Sequence, residues 1–140
     1  MKHLILSMII SSLLGCASAQ LTTPFSYAPV KNGKALLYIY RLDTVVGSLN
    51  PDIPKILINN KVVGPLNIGG YYKQQIEPGD IEVTWKEAIN IFPRKKLNKK
   101  VEADKVYFVK LEIKEIDTFF DFVPADFGIN EIKTTKLLIQ

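Results

Sequence analysis

The stretch Ile81-Glu82-Val83-Thr84-Trp85-Lys86 decides the fold class. Ile81, Val83 and Trp85 alternate with Glu82, Thr84 and Lys86. Successive side chains of a strand point to opposite faces, so this pattern is a strand with one face in a core and the other toward water. Just before it, Glu77-Pro78-Gly79-Asp80 puts Pro then Gly where a type II turn needs them. Residues 71–76, entered through Gly69-Gly70, read as the preceding strand.

The same period runs outward in both directions. Residues 94–104 are strongly charged around Leu97 and Val101, the pattern of an exposed edge strand. Ala103-Asp104-Lys105 turns the chain into residues 106–113, where Tyr107, Val109, Leu111 and Ile113 share a face, and residues 118–123 supply a further strand. Upstream, Leu36-Leu37-Tyr38-Ile39-Tyr40 is an unbroken β-prone run that suits a central strand. Residues 55–58 pass through Asn59-Asn60-Lys61 into Val62-Val63-Gly64; Asn tolerates positive φ, which predicts a tight hairpin. In residues 126–137 two patterns compete. Ile129, Ile132, Lys133 and Lys136 allow a short amphipathic helix with Asp126 near its start, whereas Thr134-Thr135 favours extension; the helical spacing is the better match. The expected fold is all-β, an antiparallel β-sandwich of seven to eight short strands with one short C-terminal helix. Its domain spans residues 34–140, with Leu37, Ile39, Ile58, Val83, Trp85, Tyr107, Val109 and Leu111 in the core. No repeat of fixed period is visible, which excludes a solenoid.

The N-terminus carries a different signal. Met-Lys-His, the apolar run from Leu4 to Ile10 and the small residues after it are the marks of a secretory signal peptide over residues 1–15, too short to span a membrane. Leu13-Leu14-Gly15-Cys16 resembles the lipobox of bacterial lipoproteins, and the one cysteine of the chain falls at the required position. The thiol of Cys16 would carry a diacylglycerol, a role for which a serine hydroxyl is a far weaker nucleophile. The alternative is an ordinary signal cut after Ala17-Ser18-Ala19, leaving Gln20 first and no lipid. Ala17, where retention in the inner membrane usually wants Asp, points to the outer membrane, with the protein facing the periplasm. Residues 16–33, rich in Ser, Thr and Pro from Ala17 on, read as a lipid-anchored tether or a loosely packed lead-in to the domain.

Composition closes off several classes of function. The chain has 140 residues, 47% hydrophobic and 23% charged, which fits a single globular domain. Its net charge of +4, or +3 without Lys2, is too mild for a nucleic-acid binder. One Cys excludes a disulfide framework within a monomer, and His3, the sole imidazole, lies in the segment to be removed. Catalysis would then rest on carboxylates or lysines alone.

Several of these segments, taken in order, resemble a bacterial envelope family, domain of unknown function 2846. They are residues 33–41, Ile56-Leu57-Ile58-Asn59 with Val63-Gly64, Gly69-Gly70-Tyr71-Tyr72, Pro78-Gly79 and Lys105-Val106-Tyr107-Phe108-Val109. The resemblance covers residues 33–137. It implies a small β-sandwich-like module, often carried on lipoproteins, with no established reaction. Asp104-Lys105 departs from the family's more usual Gly-Lys at that turn.

Among individual residues, Tyr38, Tyr40 and Arg41 form the most conspicuous set, since Arg beside aromatic rings can grip an anion or a sugar. The plainer account has the Tyr rings packing a core while Arg41 caps a strand end. Gly69-Gly70 lacks the helix and GK[ST] of a phosphate loop and reads as a bend. Asp117, Asp121 and Asp126 have neither EF-hand spacing nor its central Gly. Phe119-Phe120-Asp121-Phe122 offers an aromatic patch, two of whose rings alternation already assigns to the core. Arg94, Lys95, Lys96, Lys99 and Lys100 crowd one edge; they either keep that edge soluble or rest on anionic lipid headgroups. The sequence therefore points to a non-enzymatic, lipid-anchored binding or scaffolding module. No metal or cofactor set is recognisable, and an envelope protein or glycan is the expected partner. A small carboxylate-dependent periplasmic hydrolase is the alternative.

Overall fold

A computed structural model describes residues 21–44, 52–87, 95–114 and 117–139. These residues form ten strands and one helix: β1 (Leu21–Pro24), β2 (Ala35–Arg41), β3 (Lys55–Ile58), β4 (Lys61–Pro65), β5 (Gly70–Ile76), β6 (Gly79–Lys86), β7 (Leu97–Val101), β8 (Val106–Ile113), β9 (Thr118–Val123), α1 (Ala125–Ile132) and β10 (Lys136–Leu138). A six-stranded sheet in the order β1-β10-β5-β2-β8-β9 faces a four-stranded sheet in the order β4-β3-β6-β7.

Alternation builds two apolar layers. Leu37 and Ile39 of β2 and Val109 and Leu111 of β8 meet Ile56 of β3 and Val83 and Trp85 of β6 between the sheets. Each fully buried side chain of this kind contributes on the order of 1.5–3 kcal/mol. On the other face of the large sheet, Tyr38, Tyr40 and Phe108 pack with Ile132 of α1 and with Phe25, Ala28 and Val30. A face that would otherwise meet water is thereby covered. The helix lies close because Gly128 has no side chain: a Cβ there would fall 2.4 Å from Phe108 Cγ. Of the eight expected core residues, seven are buried and Tyr107 is packed half-buried against the rest.

The sandwich and its C-terminal helix stand as expected, with two differences in the strands. There are ten of them, and the large sheet is mixed: β2 pairs parallel with β8, and β10 pairs parallel with β5. Alternation reports which face a residue occupies and is blind to strand direction, so the antiparallel expectation had no local signal to correct it. The hairpin between β3 and β4 is present, with Asn59 at φ 46° and Asn60 at φ 67°. The turn at Pro78 instead carries the chain from one sheet to the other, since β5 and β6 belong to different sheets.

Both patterns competing at the C-terminus are used. The helix ends where the hydroxyls of Thr134 and Thr135 donate to the carbonyls of Glu131 and Ile132, and β10 follows. Residues 21–33, expected to be tether, lie on the domain. β1 pairs with β10, the Ala28 amide donates to the Tyr38 hydroxyl at 2.9 Å, and the Gln75 side chain bridges the Lys31 amide and the Pro29 carbonyl.

Candidate functional site at the loop end of the sandwich

The connections between β2 and β3, β4 and β5, β6 and β7, and β8 and β9 all emerge at one end of the sandwich, as the registers require. Arg41, the last residue of β2, lies opposite Gly70, the first of β5. Lys55, the first of β3, lies opposite Pro65 and Lys86. The Leu66 amide donates to the Pro54 carbonyl at 2.7 Å, which ties the β2–β3 connection to the β4–β5 connection, and the Gly70 amide donates to the Asn67 carbonyl at 3.1 Å within the latter. Loops on a rigid frame are where binding residues collect.

Arg41 is the unusual residue at this end. Along β2, Ala35, Leu37 and Ile39 face the small sheet, and alternation sends Arg41 the same way. Its side chain is 1% exposed. Nη1 donates to the Asp52 carbonyl at 2.9 Å, while Nε and Nη2 are buried without a hydrogen-bond partner among the described residues. Burial lowers the guanidinium pKa, and the Asp52 charge opposes that shift. Glu87, just past β6, has its carboxyl raised above the usual carboxylate range by burial and then by Asp52. Asn67 Oδ1 and Trp85 Nε1 at the same end are also buried without a partner among the described residues.

The structure separates residues that the sequence grouped. Tyr38 and Tyr40 point to the helix-covered face, away from Arg41, because adjacent strand positions alternate. The Tyr38 ring stacks on Phe108 at 5.2 Å between centroids. The Tyr40 hydroxyl donates to Glu131 of α1, whose other carboxylate oxygen accepts from Lys110 at 2.8 Å. Burial, then Glu131, raises the Tyr40 pKa. This network clamps the helix to the sheet. Of the trio, Arg41 alone faces the small sheet. Asp52, Asn67 and Glu87 had no sequence signal beyond their place in turns.

The basic edge is also divided. β7 is the outer strand of the small sheet and faces β8 and β9, with Lys99 Nζ 5.7 Å from the Tyr107 ring centre and 5.1 Å from that of Phe122. Lys95 pairs with Asp121 at 3.2 Å and Lys96 with Glu82 at 2.9 Å, while Lys100 is exposed. Arg94 and Cys16 lie outside the described residues. In the aromatic patch, Phe120 is fully buried, Phe122 packs against the core and Phe119 is exposed. Gly69, at φ 69°, makes the expected bend, and its carbonyl accepts the Lys136 amide that starts β10. Among the described residues no group of three His, Cys, Asp or Glu side chains is placed to hold a metal.

At the turn where the sequence has Asp104-Lys105, Asp104 stands at φ 61°, a conformation glycine adopts freely. A search of the curated proteins gives no match. The family model described as protein of unknown function DUF2846 matches residues 31–121, from just before β2 into β9. That span holds Arg41, Asp52, Asn67, Trp85 and Glu87, and the chain belongs to this family.

Proposed function

We propose that this is a lipid-anchored envelope protein, attached through Cys16 to the outer membrane and facing the periplasm, whose β-sandwich is a non-enzymatic binding module. The observation that carries this reading is the sequence Leu13-Leu14-Gly15-Cys16 behind a short apolar leader, and the position of β1 then sets how closely such an anchor would hold the domain. With Leu21 already paired into the sheet, Ala17 to Gln20 are all that separates it from Cys16. Four residues reach at most about 14 Å, so a lipid on Cys16 would hold the domain against the membrane. β1 is at the opposite edge of the large sheet from β9, five strand spacings or roughly 24 Å away. The cations at and just before β7 sit on the β8–β9 flank, and Lys95, Lys96 and Lys99 are engaged within the protein, which favours their solubility role over lipid contact. Mass spectrometry of the N-terminal peptide from the membrane fraction tests the anchor. An acylated Cys16 is the expected species, and a peptide beginning at unmodified Gln20 would overturn it.

A carboxylate-dependent hydrolase is the second reading: burial, then the Asp52 charge, raises the Glu87 carboxyl above its usual range, the direction a general acid needs. Turnover of glycoside or ester substrates that Asp52→Asn and Glu87→Gln both abolish would establish it over the binding module.

A further inference from the structure

We infer that the loop end of the sandwich contains an oxyanion-binding site seated on Arg41, built to take the carboxylate group of a small organic acid. The argument begins with which atoms lack partners. In an arginine, Nε–H and one N–H of Nη2 lie side by side on one edge of the planar guanidinium, and together they match the two oxygens of a carboxylate. Nη1 serves the other edge. In this protein Nη1 is the nitrogen that is used, on the Asp52 carbonyl, and Nε and Nη2 are the two without a partner among the described residues. The unsatisfied atoms thus make up one complete bidentate fork.

Such an arrangement is costly unless something answers it. A buried charged group with open N–H donors is far less stable than an apolar side chain of the same volume, and Arg41 occupies a position whose inward neighbours are Leu37 and Ile39. The Trp85 indole N–H adds another unpartnered donor, also facing the inter-sheet space and close to the loop end, whereas Asn67 Oδ1 is the one buried acceptor there without a partner among the described residues. Among these buried unpartnered atoms donors outnumber acceptors, and the Asp52 charge that also acts on Arg41 leaves room for no more than a single further negative charge at the fork. The Asp52 carbonyl fixes the plane of the guanidinium and so pre-orients the fork. Burial this tight restricts the ligand to a compact headgroup. Phosphate presents the same pair of oxygens, and the experiment separates the two sources.

The site's biological role rests on the binding-module reading, but the two fail separately, because the anchor is read by mass at the N-terminus and the anion at Arg41. Arg41 and Arg94 are the only arginines and Trp85 the only tryptophan, so the full chain, ¹⁵N-labelled in detergent, gives two Nε–H signals and one indole signal. Titration with acetate at constant ionic strength is expected to move the Arg41 Nε–H and Trp85 indole signals saturably and to slow their exchange with water, leaving Arg94 unmoved. A saturable shift with inorganic phosphate but not acetate would overturn the carboxylate assignment in favour of a phosphoryl group. No saturable shift with either, or equal movement at Arg94, would overturn the site itself. These signals come from the unmutated chain, so a folding defect in Arg41→Lys cannot obscure the result.

Discussion

The Asp104 carboxylate accepts the backbone amide of Gly33 at 3.1 Å across the turn that precedes β8, while the Asp104 amide donates to the Lys34 carbonyl at 2.6 Å. Two segments distant in sequence are thereby joined just where β2 and β8 start their parallel pairing.

Asp104 stands at φ 61°, where a β-branched side chain is strained and glycine is not. Asp104→Val should cost about 2 kcal/mol, combining strain with the lost hydrogen bond. Asp104→Gly should fall within about 0.5 kcal/mol of the unmutated protein, since relief of strain offsets that loss. Urea unfolding of the three proteins checks the order; equal losses would mean that strain does not matter at this turn.

Gly128→Ala sets two effects against each other. Alanine favours a helix by about 1 kcal/mol over glycine, but its Cβ would sit 2.4 Å from Phe108 Cγ and force α1 off the sheet. Overpacking of this kind typically costs 1–3 kcal/mol, so net destabilisation of about 1–2 kcal/mol is expected. Phe127→Ala, on the exposed side of the same helix, should change stability little. A more stable Gly128→Ala protein would show that the helix is free to move outward.

Stability should fall in alkali. Burial raises the phenol pKa of Tyr38, Tyr40, Tyr71 and Tyr72, and pushes Tyr72 from 10.0 up to about 12. Below pH 10 these phenols are protonated whether the chain is folded or unfolded, and their contribution is fully present. From pH 10 to about 12 the unfolded chain loses protons that the folded chain keeps, so the unfolding free energy drops as pH rises. Tyr72→Phe also loses a 2.9 Å hydrogen bond to the Pro65 carbonyl. It should be about 1 kcal/mol less stable at neutral pH yet lose stability less steeply in alkali. Denaturant unfolding across this pH range reads both effects.

The basic edge gives a paired test. Lys99→Ala removes a cation lying over Tyr107 and Phe122 and should cost on the order of 0.5–1 kcal/mol. Lys100→Ala, exposed on the opposite face of β7, should be near neutral. Equal effects in thermal unfolding would contradict the orientation of β7.

The sequence showed faces better than partners. Trp85 and Leu111 could be assigned to the core because period-2 alternation is local, and Asn59-Asn60 revealed a hairpin because positive φ suits asparagine. The β2–β8 pairing joins residues about 70 positions apart, for which no nearby residue carries a signal. β1 escaped notice for a related reason: Leu21-Thr22-Thr23-Pro24 has no alternation of its own and becomes a strand only by pairing with β10. Arg41 was conspicuous in sequence, but a charged residue after Tyr40 reads as a strand leaving the core. Only the register of β5, whose first residue Gly70 lies directly opposite Arg41, keeps it inside.

Joining β1 to β10 also governs when the fold can be completed. Residues 21–24 must wait for residues 136–138, about 110 positions further along the chain, before the edge of the large sheet can close. β2 likewise waits for β8, although β3, β4 and β6 can associate much earlier. Topologies ruled by such distant pairings fold slowly, on the order of milliseconds to seconds. A chain interrupted before β10 would therefore leave β1 unclosed and β5 as an open edge of the large sheet, available to the strand of another copy.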